Sequence, residues 1–446
     1  MKVKQLLLTI GLLLGVIPLL QAQQAFSIKE AVAYAQKNNP NVKTSELDIT
    51  GADLRIREIK AAGMPQVAGN FSYTANVIIG TQLLEARNFN PQAAEGEVVK
   101  FKFGVPWGGQ AGIGLNQLVF DASWLVGLKA AGVYRELAQR NLKQSKVNVA
   151  ENVIKAYYSV LVAEERAKIL DLNVSRLDSL VREMKIMNQQ GFIEKIDIDR
   201  LEVQRNNLLT ERQKVSNLIQ LTYQLLKFNM GYGLQNTLTL KDKLTDVDLV
   251  ALRLIDNQTV DYGNRVEYQV LQSQRRLTEL DIESKQKGSL PKVFGQANLG
   301  AGHSNPRFNP FERWFPSSAV TLGLQIPIYD SGLRSIQVQQ SKLNLAKIDL
   351  GASAMRQGFD LQLDQAMINL KNGLQTLETQ QRNLDLAKEV LRVSKIKYQG
   401  GLGSNLEVVN AESSIKEAQT NYFAALYDVI IAKVDLDKAQ GKLELE

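Results

Sequence analysis

Few residues in this chain have side chains suited to bond-making chemistry. There is one histidine, His303, in a proline-rich segment with Arg307 and Trp314, and there is no cysteine. A zinc site needs several nitrogen or sulfur ligands, so His303 alone assembles none and is expected on a surface loop. The cluster GGLGSN at 400–405 lacks the Lys-Ser/Thr pair of a phosphate loop, and GYG at 231–233 reads as a turn. No enzyme and no cofactor are expected. What does recur is LVFDAS at 118–123 and IPIYDSG at 326–332, each just ahead of a long run without proline. Asp121 with Ser123, and Asp330 with Ser331, offer acceptors to the free N–H groups of a helix start. Pro327 is compatible with the end of a strand.

The elements that position these junctions follow from proline and glycine. None of the ten prolines lies between Trp107 and Leu290, and none follows Pro327. Proline costs about 3 kcal/mol inside a helix, so two very long helical regions are permitted. Glycine is missing from 133–190, 192–230 and 404–440. Within these windows apolar residues return at spacings of three and four, as in Leu170, Val174, Leu177, Val181 and Met184. The expected helices are 41–62, 124–190 and 192–230, then 265–287, 332–399 and 404–440. At ~1.5 Å per residue the long ones would run roughly 100 Å, about the sum of a medium and a short one. Two shorter helices stacked end to end can therefore back each long one.

The proline-bearing segments alternate with period two, the mark of strands with one apolar and one polar face. Val67, Gly69, Phe71, Tyr73, Ala75 and Val77 form one such line; Val320, Leu322, Leu324, Ile326 and Ile328 form another. Softer versions start at Gln110 and Lys292. The halves align: Asp121 with Asp330, NQQGFIEKIDI at 188–198 with YQGGLGSNLEV at 398–408. The first strand pair encloses about 17 more residues than the second, placed in a surface loop near 85–104 because loop length is inexpensive.

The ends and the charge bound the class. Lys2 and Lys4, an apolar stretch at 6–17, Pro18 and Ala22 read as a signal peptide over residues 1–22. A first structural repeat is assigned to 23–231, a turn-rich mid-height connector to 232–264, and a second repeat to 265–446. The net charge is +7 with both signs interspersed, and no basic stripe interleaved with aromatics invites nucleic acid. Four strands cannot close a barrel, and open edges are not tolerated in lipid. Helices this long have no core of their own, so the chain is expected to assemble with copies of itself.

NNPNV at 38–42, the twice-written strand end, and the twice-written glycine turn leading to IDIDRLE and LEVVNAE resemble the TolC-type outer membrane efflux family. The resemblance spans essentially the whole chain after the signal. It implies a mainly α, internally duplicated fold with membrane β structure. Long antiparallel coiled-coil helices would form a periplasmic α-barrel, and four strands per chain would join a shared twelve-stranded transmembrane β-barrel. It implies a homotrimer in the cell outer membrane, in contact with outer membrane lipid and with a large periplasmic portion. This would be the passive exit duct of a tripartite efflux or type I secretion system. A periplasmic adaptor (membrane fusion) protein and an inner-membrane pump of the resistance-nodulation-division or ABC type would be its partners. The alternative is a structural trimeric coiled-coil stalk or a periplasmic scaffold without transport.

On this reading Gly191, Gly400, Gly401 and Gly403 are helix-turn positions for adaptor docking, and Asp121, Pro327 and Asp330 mark strand-to-helix junctions. The family places acidic side chains at a gate just past the second turn. Glu407 and Asn410 hold those positions here, the second an amide rather than a carboxylate; Asp197 and Arg200 correspond in the first half. Asp197 and Glu407 would also favour a helix dipole from a first turn. Trp107, Trp124 and Trp314 lie near strand ends, where an aromatic belt or simple packing would use them. Loops 85–98 and 303–315 would face outside.

Overall fold

The computed structural model describes residues 24–244 and 261–443. The expected signal peptide lies outside the described residues, as does part of the expected connector. Two compact units are present.

One unit contains the described residues up to Leu47, Arg140–Gln269 and the chain from Ser353 on. Strand β1 (Gln24–Phe26) leads into helix α1 (Ile28–Asn38) and the start of α2 (Pro40–Ala62). Most of α3 (Ala122–Gln189), all of α4 (Lys195–Met230), most of α6 (Leu333–Gln399) and all of α7 (Asn405–Ala439) complete its helices. Helix α1 had no counterpart in the sequence reading. Its start is a capping box: Ser27 Oγ accepts from Glu30 N, and the Glu30 carboxylate accepts from Ser27 N at 2.8 Å.

The helices pack with a seven-residue repeat. Leu170, Leu177 and Met184 of α3 share a buried cluster with Leu201, Leu208 and Val215 of α4. On α6 the buried line is Leu363, Leu370, Leu377, Leu384 and Leu391. On α7 two buried lines run side by side: Val408, Ile415, Val429 and Leu436, then Ala411, Ala418, Ala425, Ala432 and Ala439. A strict seven-residue repeat winds helices into a left-handed supercoil, and the alanine line lets α6 approach α7 closely. Each buried leucine contributes about 1.5–3 kcal/mol. Pairs between α3 and α4, Asp171 with Arg212, Asp178 with Arg205 and Lys185 with Glu202, stand seven residues apart on α3, outside the seam. These pairs are largely exposed and hold register more than they add stability.

Helix ends meet within this unit. Gly231 ends α4 in the left-handed region (φ 67°), and the Asn39 amide donates to the Asn229 carbonyl at 2.7 Å. A Cβ on Gly231 would fall 2.6 Å from the Asn38 carbonyl oxygen. The end of α7 meets the start of α5 (Val266–Lys287), where the buried Arg265 guanidinium donates to the Ala439 carbonyl at 2.8 Å. Strand β1 pairs in parallel with a later strand, Leu238–Leu240 (β6 in chain order). The Tyr157 hydroxyl of α3 lies 2.9 Å from both the Phe26 carbonyl and the Asp242 carboxylate, tying this small sheet to the long helix.

The other unit is Asp48–Gln139 and Val270–Ala352. Its sheet has four antiparallel strands, β2 (Gln66–Ala75), β5 (Trp107–Phe120), β7 (Lys292–Asn305) and β8 (Phe315–Gln325), in the order β2-β5-β7-β8. The register separates two faces. Val67, Phe71, Ile113, Leu115, Ala297, Leu299, Val320, Leu322 and Leu324 line one. Gln66, Asn70, Ser72, Thr74, Gln110, Asn116, Gln296, Asn298, Ser317, Thr321 and Gln325 line the other. Away from its loop end the apolar face is uncovered; Val320 is 88% exposed.

Two expectations are corrected here. The last strand stops at Gln325 rather than running on to Ile328, because Pro327 has no N–H for the ladder and biases the residue before it. The expected surface loop is a hairpin, β3 (Thr81–Glu85) with β4 (Val98–Lys102). Its base is held by Asn76, whose N–H donates to the Pro106 carbonyl at 2.7 Å and whose amide donates to the Val105 carbonyl at 3.0 Å.

Candidate functional site

Both glycine turns are built alike. After α3, Gly191 takes φ 80° and the Phe192 N–H reaches back to the Met187 carbonyl at 2.9 Å. After α6, Gly401 takes φ 71° and the Leu402 N–H reaches the Lys397 carbonyl at 2.9 Å. This closes each helix with a left-handed residue, which glycine adopts without strain. Gly400 has ordinary φ, and Gly403 is small because a Cβ there would lie 3.0 Å from the Lys397 side chain.

The fold brings the two turns together. The Asn405 amide donates to the Asp197 carbonyl at 3.4 Å, and Gln204 donates to Ser413 at 3.0 Å. Val408 is buried in the same cluster as Ile198 and Leu201. Around this contact sit all four residues singled out for a gate, and they are not equivalent. Asp197 is partly buried and paired with exposed Arg200 at 3.7 Å. Glu407 and Asn410 are exposed. Ser404 caps α7 by accepting from the Glu407 N–H at 3.3 Å. The Glu407 carboxylate forms no ion pair among the described residues and remains a free charge in the first turn.

One turn further along α7 is a residue the sequence reading missed. Glu412 is buried, with Arg176 of α3 at 3.1 Å and Lys395 of α6 at 2.9 Å. Next to it, Asn173 donates to Gln419 at 3.0 Å and accepts from Arg176. Asn405, Glu412 and Gln419 stand seven residues apart, a polar line in a helix otherwise repeating apolar residues, and that line was the available signal. Farther along, Glu211 of α4 is bridged by Arg166 at 2.9 Å and by Lys416. Burial pushes the Glu211 carboxyl up, but Lys416 and Arg166 together outweigh it and hold it below its ordinary value.

The strand-to-helix junctions use their aspartates as caps. Asp121 accepts from the N–H groups of Ser123 at 2.8 Å and Trp124 at 3.3 Å, and Lys292 lies 2.7 Å away. Asp330 accepts from Gly332 at 3.1 Å and Arg334 at 3.4 Å. Ser331 itself takes a left-handed φ of 54°, a non-glycine conformation that the neighbouring cap holds in place. Pro327 lies between the end of β8 and the start of α6.

His303 corrects the surface-loop expectation. It belongs to β7 and is 3% exposed, stacked between Tyr73 at 6.1 Å and Trp314 at 5.5 Å. Trp107 and Phe308 extend this cluster on the apolar side of the sheet's loop end. Trp314 donates to the Pro310 carbonyl at 3.0 Å. At the sheet's other end Trp124 is used for packing: its N–H reaches the Ile59 carbonyl at 2.8 Å, and its ring covers Gly63. Among the described residues no helix is long and apolar enough to cross a membrane, and no cluster of three His, Cys, Asp or Glu could hold a metal ion.

Residues 263–442 match the sequence model of the outer membrane efflux protein family. The chain is 22% identical over 450 residues to the outer membrane efflux protein BepC of Brucella suis biovar 1 (strain 1330), covering 99% of this chain and 91% of that protein. Its fold is that of the outer membrane protein VceC from Vibrio cholerae, with TM-score 0.69, 13% identity, and 93% and 96% of the two chains covered. It is also that of the Neisseria gonorrhoeae MtrE outer membrane channel, with TM-score 0.71, 13% identity, and 94% and 90% covered. Residues 263–442 thus carry the pattern of the outer membrane efflux protein family, the whole chain is similar to an outer membrane efflux protein and has the fold of outer membrane channels, and with a sheet apolar on one face this supports a place in the cell outer membrane with a large periplasmic portion.

Proposed function

We propose that three copies form one channel, with twelve strands closing a shared outer membrane barrel and the helices of all copies lining a tunnel into the periplasm. The observation that carries this is the open sheet. Strands β2 and β8 are edges, and the apolar face beside them has no cover in a single chain. Lipid accepts the apolar face but not open edges, so β2 of one copy pairs with β8 of the next. The helices support the same reading. Ile336, Leu343 and Leu350 form an exposed seven-residue line on α6, and Leu218, Leu221, Leu225 and Phe228 form an exposed stripe on α4. Such lines seek a partner helix.

The channel is passive. It serves as the exit duct of a tripartite efflux or type I secretion system, with a periplasmic adaptor docking near Gly191 and Gly401 and an inner-membrane pump supplying energy. Three copies of unpaired Glu407 make a cation-favouring throat at the periplasmic end, and Asn410 contributes an amide to the same ring. Co-purification after cross-linking in the native envelope tests the duct: recovery of an adaptor and a pump supports it. Absence of both, with export unchanged in a deletion strain, removes it.

A further inference from the structure

The polar face of the sheet is composed in an unusual way. Reading across the four strands, its rungs are Gln66–Asn116–Gln296–Thr321, Ala68–Gly114–Asn298–Ala319, Asn70–Gly112–Gly300–Ser317 and Ser72–Gln110–Gly302–Phe315. Every polar member is an amide or a hydroxyl. These groups carry both donors and acceptors, so a rung can solvate either sign of charge and carries none itself. One charged residue of the four strands lies on this face, Lys292 at the helix-side margin. Its ammonium is 2.7 Å from the Asp121 carboxylate and is thereby neutralised.

The glycines in these rungs have a second role. A Cβ on Gly114 would fall 2.9 Å from the Asn298 amide oxygen, and one on Gly112 would fall 3.6 Å from that of Asn70. Near the margin the Phe294 ring lies over Gly323, within 2.3 Å of where a Cβ would be. Asn298, Asn70 and Phe294 therefore lie along the wall, over neighbouring glycines.

From the uncharged rungs we infer that the membrane-spanning part of the duct is charge-blind. It passes cationic, anionic and uncharged polar solutes alike, and any discrimination by charge occurs before cargo reaches the strands. This rests on the channel reading above, in which the polar face lines the lumen. A lumen lined by one sign of charge concentrates counter-ions and repels co-ions; the rungs supply no such field.

The chain's lack of cysteine makes the test direct. Single-cysteine variants Asn298→Cys and Gln110→Cys sit on the polar face, and Val320→Cys sits on the apolar face. Each is treated in outer membrane vesicles with a cationic (ethyltrimethylammonium) and an anionic (ethylsulfonate) methanethiosulfonate, and rates are normalised to a free thiol in solution. The expected result is that both polar-face cysteines react, with normalised cation-to-anion rates within about threefold of each other, because focusing by a charged cleft would shift them by about tenfold or more. A preference of about tenfold or more at both positions overturns charge-blindness while leaving the channel reading intact. Reaction at Val320→Cys with none at Asn298→Cys and Gln110→Cys overturns the face assignment, and the inference falls with it.

Discussion

Glu412 of α7, only 5% exposed, is held by Arg176 of α3 at 3.1 Å and by Lys395 of α6 at 2.9 Å, so one carboxylate ties three helices beside the glycine turns. Removing a buried partner leaves the others uncompensated. Because the two cations are about one quarter to one third exposed, Glu412→Ala is expected to cost about 2–3 kcal/mol. Thermal unfolding in detergent measures it. The double variant with Arg176→Ala should be less damaged than the sum of the singles. Strict additivity would show that Glu412 and Arg176 do not interact.

Acid should loosen the helical part through its bridged carboxylates. Lys416 and Arg166 hold Glu211 below its ordinary value of 4.5, against burial. Burial likewise raises Glu151, and Lys155 with Lys438 outweighs it. A carboxylate depressed in the folded state stabilises the protein above its unfolded value, and the stabilisation is lost as pH falls through the folded value. The thermal midpoint is therefore expected to be flat from neutral pH to about 5 and to drop below about 4.5. Glu211→Gln should lower the neutral plateau and shallow the acid slope; an unchanged slope would contradict this assignment.

The glycines separate by what surrounds them. Gly401→Ala meets open space and suffers only the left-handed backbone, an expected cost of about 1–2 kcal/mol. Gly231→Ala adds a collision with the Asn38 carbonyl and should cost about 3 kcal/mol or more. Gly400→Ala, with ordinary φ and 3.4 Å to the Ile396 carbonyl, should be nearly neutral. Unfolding midpoints of the three variants check the order, and equal losses would refute it.

The free charge of Glu407 gives an electrical prediction. In planar bilayers under a KCl gradient, Glu407→Gln should shift the reversal potential toward zero, while Asp197→Asn, already paired with Arg200, should shift it less. An unchanged potential in Glu407→Gln would take this residue out of the throat.

The long helices were legible because excluding proline and glycine is a backbone rule that needs no partner. Helix α3 was expected over 124–190 and spans Ala122–Gln189. Helix α4 starts at Lys195, three residues later than expected, because the Gly191 turn uses Phe192 to close the preceding helix. The turns and aspartate caps were equally local and equally readable. What escaped depended on distant partners. His303 is buried because Tyr73 and Trp314 arrive from other segments, and Glu412 is paired with Arg176 of a helix 236 positions earlier in the chain. The β3–β4 hairpin reads as a loop in the sequence because its strands are only five residues each and the adjacent pairs Leu83-Leu84 and Val98-Val99 break the alternation.

The account stands on the shared barrel, and the most direct measurement is the mass of the detergent-extracted particle by native mass spectrometry, paired with extraction in plain buffer. Three chains per particle, released from the envelope only by detergent, is the predicted result. A single chain that leaves the envelope in plain buffer with its strand content intact would contradict it.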